Sequence, residues 1–102
     1  MKRRPQFSLT RAQVIARCRE MNHMLICAGQ VLALMDMMQA MGWTMLEVAR
    51  RSGVSHSMIA DVLRLRSFFT TDKLSRVVAA FGLELHEFDR LAAYELAEEV
   101  PA

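Results

Sequence analysis

Residues 42–62 read GWTMLEVARRSGVSHSMIADV. Thr44 is a good N-cap and Glu47 stands three residues on, at capping-box spacing. Trp43 and Val48 flank the pair as a hydrophobic staple. A first short helix is therefore predicted from Met45 to about Ser52, with Leu46, Val48 and Ala49 available to the core. Gly53 follows where a helix end needs a left-handed backbone. Ser55 is the next N-cap, stapled by Val54 and Ile59. The second helix turns Ile59, Val62 and Leu63 inward at the spacing of one face. His56, Ser57, Ala60 and Asp61 remain on the other side. Two helices, a glycine turn and a polar opening to the second helix make a helix-turn-helix arrangement over residues 44–63.

Working outward, the same signals mark the rest as helical. Thr10 and Gln13 form another capping box, with Leu9 and Val14 as its staple. They open a helix predicted over residues 9–27, with Val14, Cys18, Met21 and Leu25 as its apolar stripe. The run QVLALMDMMQAM, residues 30–41, is apolar almost all round, so it must be covered on every side. The expected covers are the preceding helix and a partner subunit. Its methionines, Met35 and Met38 among them, read more readily as core filling than as a docking face. After the motif comes a loop, RLRSFFTT, where Phe68 and Phe69 cannot both face inward from an extended segment. One is expected to pack, the other to be exposed or in a dimer contact. Thr70 or Thr71 then caps a helix to about Phe81, ended by Gly82. A final helix is expected from Glu84 to Glu98, with Leu85, Phe88, Leu91 and Ala92 inward and Leu96 extending the stripe.

The whole is an all-α chain of 102 residues, 53% hydrophobic, with prolines only at positions 5 and 101. No stretch alternates β-branched and polar residues as a strand would. Its organisation reads as a basic arm over 1–8, an extension helix over 9–27, the motif-bearing domain over 28–98 and a tail over 99–102. The arm, MKRRPQFS, can place Lys2, Arg3 and Arg4 on phosphate or serve only as a solvated tail. Cys18 and Cys27 lack metal-ligand spacing and read as two reduced, buried thiols of a cytosolic protein. No signal peptide and no membrane span is expected. No cofactor is expected either. His23, His56 and His86 are scattered and no glycine-rich phosphate loop is present, which argues against an enzyme.

Charge is unevenly spread. Residues 1–66 hold ten Lys/Arg against four acids, and residues 67–102 hold three against seven. A chain that is basic through the motif and acidic after it suits a protein facing phosphates on one side.

The residues Gly42-Trp43-Thr44, Glu47-Val48-Ala49, Gly53-Val54-Ser55, Ile59, Val62, Leu74, Val77, Phe81-Gly82-Leu83, Leu85 and Phe88 resemble, without a gap, the pattern of the lambda-repressor/Cro-like (XRE) helix-turn-helix family. The resemblance implies a five-helix DNA-binding core, here preceded by an additional N-terminal helix. It further implies a transcriptional regulator acting as a homodimer, most often a repressor of the cytoplasm or nucleoid. Carried over by position, His56, Ser57, Ala60 and Asp61 fall where the family reads base edges. Thr44, Met45, Arg64 and Arg66 fall near phosphate, with Ser55, Arg50 and Arg51 as further candidates. Met45 stands where the family usually has glutamine, and Leu63 and Leu65 replace a frequent glutamate and glycine. Candidate dimer residues are Met21, Leu25, Met35, Met38, Phe68, Phe69 and Leu96. The Met-rich helix keeps a second reading open, an antitoxin-like or adaptor module that retains the fold and binds a heterologous protein.

Overall fold

The computed structural model describes residues 6–20 and 25–99, with side chains over 6–20 and 28–95. Six helices follow one another, with no strand among the described residues: α1 (Arg11–Glu20), α2 (Leu25–Met41), α3 (Met45–Ser52), α4 (His56–Leu63), α5 (Thr71–Ala80) and α6 (Leu85–Glu99). Helices α2 to α6 are the five-helix core and α1 is the addition before it.

Local chemistry sets these boundaries. Thr10 and Gln13 exchange both bonds of a capping box, at 2.9 and 3.2 Å. Thr44, Ser55 and Thr70 each accept from the backbone N–H three residues on, at 3.2–3.3 Å. The box predicted at Thr44 closes on one side only. The Glu47 carboxylate is taken by Arg50 and Arg51 instead. Gly53 ends α3 at φ 75° and Gly82 follows α5 at φ 79°.

Helix α2 is longer at its N-terminus than expected. It begins at Leu25, so residues 25–27 belong to it and not to the extension helix. Gly29, buried inside it, does not break it. Tertiary packing outweighs the modest helix penalty of one glycine.

The core explains how an all-round apolar helix is covered. Val31, Leu32, Leu34, Met35 and Met38 join Val14, Ile15 and Cys18 of α1 and Val48, Ile59, Val62 and Leu63 of the motif in one cluster. A second cluster joins Ala33 of α2 to Leu74 and Val78 of α5 and Phe88 of α6. The far side of α2 is thus closed by α6, where a partner subunit was expected. Met35 and Met38, at 3% and 0% exposed, are core residues and not a dimer surface. Met21 lies outside the described residues, and the side chains of Leu25, Cys27 and Leu96 lie outside them too. Two apolar residues predicted inward are at the surface: Leu46 is 67% and Leu91 41% exposed. Leu91 sits at the rim of its helix's apolar arc, and Leu46 lies about 160° around α3 from the buried Val48, on the open side.

One ion-pair cluster joins the extension to the core. Arg11 of α1 donates to Asp36 of α2 at 2.6 Å and to Glu95 of α6 at 2.5 Å. Hydrogen bonding with the Asp36 carboxyl, then with the Arg11 guanidinium, holds the Glu95 carboxyl below the usual carboxylate range. A depressed carboxylate contributes stability above its unfolded pKa of about 4.3 and loses it as pH falls through the lower folded value. Arg11→Met should therefore destabilise the fold by about 1 kcal/mol at pH 7, with solvent screening the Asp36 arm. The difference from the parent should shrink below about pH 4 as the Glu95 carboxyl protonates. Thermal unfolding of the two proteins from pH 3 to 7 reads this directly. A pH-independent difference would overturn it.

Candidate nucleic-acid interface

Helix α4 is held from one side and open on the other. Ile59, Val62 and Leu63, at 0%, 5% and 2% exposed, anchor it in the main core. The Ser55 Oγ accepts from Met58 N–H at 3.2 Å and fixes where the helix starts. His56 and Ser57 in its first turn are exposed, and Asp61, one turn later, is half-buried. Ala60 is 8% exposed, which corrects its placement on the open face. At 100° per residue, Ala60 lies only about 60° from Leu63 around the helix, so it borders the core.

The turn after α4 places two of the predicted arginines. Leu65 N–H donates to the Val62 carbonyl at 3.0 Å and Arg66 N–H to the Asp61 carbonyl at 2.8 Å. This double closure normally uses glycine at its left-handed position. Here Leu65 fills it, at φ 63°, the one positive-φ residue other than glycine among those described. Its side chain is buried in the main core while Arg64 and Arg66 on either side are exposed. Arg64 Nε also donates to Ser8 Oγ at 3.1 Å. The start of the described chain, with Leu9 buried behind it, is thereby set beside this loop. Lys2, Arg3 and Arg4 lie outside the described residues.

Helix α3 presents a different picture. Thr44 and Met45 are half-buried, and Met45 packs against the core. Arg50 makes a two-pronged contact with Glu47, through Nε at 3.1 Å and Nη2 at 2.6 Å. Arg51 Nε takes the same carboxylate at 2.6 Å, and its guanidinium lies 4.4 Å above the Trp43 ring. Trp43 in turn stacks, tilted, on Phe81 at 4.6 Å. The two arginines bring the Glu47 carboxyl down to about 2, so it is charged at any ordinary pH. Leu46, Arg50, Ser55 and His56 line one open crevice that runs along α3 to the start of α4.

Elsewhere, Phe69 packs against both core clusters and Phe68 is 44% exposed. Glu84, His86 and Glu87 cluster at the start of α6, all exposed. Glu87 caps that helix by accepting from Glu84 N–H at 3.0 Å, and His86 Nδ1 lies 3.2 Å from Glu84. No helix among the described residues is long and apolar enough to cross a membrane.

What sequence reasoning missed at this site is the engagement of Arg50 and Arg51. The signal was present: Glu47 stands at i−3 and i−4 from them, the spacing at which helical side chains meet.

The helix-turn-helix family model matches residues 34–88, from the middle of α2 to Phe88 in α6. No curated protein and no solved structure matches the chain. The match spans more than half of the chain and contains both motif helices, their turn and the helices that hold them. This protein belongs to the XRE-type helix-turn-helix family of DNA-binding regulators.

Proposed function

We propose that this protein is a repressor that binds a two-fold operator as a homodimer, with the start of α4 in the major groove. The observation that supports this reading most is the division of α4. Its apolar residues are fixed in the core, while His56 and Ser57 stand exposed in its first turn. Residues at that end of a recognition helix meet base edges. His56 can donate to a guanine acceptor, Ser57 can bond in either direction, and Asp61 can accept from cytosine N4. Arg64 and Arg66 supply phosphate contacts from the loop, and the backbone N–H groups at Met45 and the caps Thr44 and Ser55 supply others. Lys2, Arg3 and Arg4 add further phosphate contacts. A single module reads few base pairs, so a dimer spanning two half-sites one helical turn apart completes the site. Phe68, with Leu91 and Tyr94 at 41% and 63% exposed, offers apolar surface for that dimer. Such a protein works in the cytoplasm, on the nucleoid, with no catalytic step.

The test is a salt titration of binding to random duplex and to operator-enriched duplex. Both should weaken steeply with salt. Operator-enriched DNA should retain an advantage that His56→Ala and Ser57→Ala each reduce by about 1–3 kcal/mol, roughly 5- to 150-fold, with little change in slope. Equal affinity for both duplexes would overturn the base-reading assignment. No binding at low salt, with capture of a heterologous protein instead, would favour the adaptor reading.

A further inference from the structure

Three charged residues of α3 behave as one group. The Glu47 carboxylate accepts from Arg50 twice and from Arg51 once, at 2.6–3.1 Å. Arg51 is held additionally by the Trp43 ring. Arg50 has no such second anchor among the described residues, and its side chain is 68% exposed. It lines the crevice that also holds Ser55 and His56, where α4 begins. This cation beside the start of α4 is therefore already engaged by an acid of its own helix.

We propose that Glu47 is an affinity-setting residue: its carboxylate withholds Arg50 from DNA phosphate, so that sequence-independent binding stays weak. The inference rests on the DNA-binding reading above and assigns a role within it. Two physical effects act together. A fork-shaped guanidinium satisfied by a carboxylate has fewer N–H groups to offer a phosphate. The carboxylate itself lies close enough to an approaching backbone, within a Debye length of about 10 Å, to repel it. Non-specific affinity comes almost wholly from phosphate contacts, whereas base contacts by His56 and Ser57 are untouched by this pairing. Suppressing one phosphate contact weakens binding to all DNA alike. It lowers the total amount of protein held on DNA and leaves the ratio of operator to random affinity unchanged.

Glu47→Gln tests the idea. Gln keeps the side-chain shape, and the Thr44 cap uses the Glu47 backbone N–H, not its carboxylate. Binding of the full chain to a random duplex is measured across a salt series by anisotropy. The plot of log affinity against log salt should steepen by about 0.9, one added phosphate contact, and low-salt affinity should rise about tenfold. In an Arg50→Gln background the same change should have a clearly smaller effect, the part due to repulsion. An equal effect in that background would mean that Glu47 acts by repulsion alone, and would overturn the withholding role. Wild-type binding with an unchanged Glu47→Gln slope would overturn the inference while leaving the DNA-binding reading intact. Failure of both proteins to bind would overturn both. If Glu47→Gln unfolds, as circular dichroism would show, Glu47→Asp serves. Its carboxylate is one methylene shorter and reaches the Arg50 fork less well, so a smaller steepening is expected and none would overturn the proposal.

Discussion

Phe88→Ala should lower the free energy of unfolding by about 3–5 kcal/mol, the usual range for losing a fully buried phenylalanine. The Phe88 ring is 1% exposed and packs with Ala33, Leu74 and Val78, so it ties α6 to both α2 and α5. Removing it opens a hole where three helices meet. Beside that position lies a small apolar crevice lined by Leu34, Val62, Phe68, Phe69 and Val77. Phe68, 44% exposed at its edge, has room to turn inward and refill the space. This possibility favours the lower half of the range, and it predicts coupling. Phe68→Ala should be nearly harmless alone and clearly harmful in the Phe88→Ala background. Urea titration checks both, as a lower midpoint with the slope unchanged. Typical domains have only about 5–15 kcal/mol to lose, so the effect is large. A loss below about 1 kcal/mol would mean that α6 is held elsewhere. Helix α4 should be less affected than α6, because Ile59, Val62 and Leu63 belong to the other cluster.

That division also explains what the sequence could reveal. The α3–turn–α4 unit was legible because its determinants are local. Thr44, Gly53 and Ser55 act on backbone groups within a few residues of themselves, and capping chemistry is readable at that range. The covering of α2 was legible on one side only: the preceding helix was expected and is there, but α6 was not expected. An apolar helix declares that something covers it, and the identity of that cover, α6, is a long-range fact absent from its own pattern. The same limit kept Met35 and Met38 among the dimer candidates beside the preferred core reading, and they are core. Ala60 was misread for a different reason. It sits on the border between the two faces of α4, and an alanine is small enough to be buried there without any apolar-spacing signal. Glu47 was read for its cap and not for its arginines. A carboxylate at N3 can turn either way, and here two cations outcompete one neutral backbone N–H.

Leu65 gives the other large effect, and an unusual ranking. Leu65→Ala should destabilise by about 2–4 kcal/mol, since a side chain 7% exposed leaves the main core. Leu65→Gly removes still more of the side chain, yet it should be the milder change. At φ 63° any side chain carries a left-handed penalty of about 1–2 kcal/mol that glycine escapes. Leucine offsets that penalty by burial, alanine offsets little of it, and glycine does not incur it. The expected order of stability is leucine, then glycine, then alanine, with about 1 kcal/mol between the last two. The position also governs the proposed phosphate contacts. The bonds of Leu65 N–H to Val62 and Arg66 N–H to Asp61 set Arg64 and Arg66 on the outside of the turn. Glycine preserves that turn, so its salt dependence of DNA binding should match the parent. Alanine is under strain there and relaxes toward an extended backbone, which moves both arginines and should flatten the salt slope by up to about 1.8, two phosphate contacts. Denaturation and salt titration on the same pair of variants therefore test one cause through two readouts. An alanine variant more stable than the glycine variant would show that the left-handed turn is not what holds this loop.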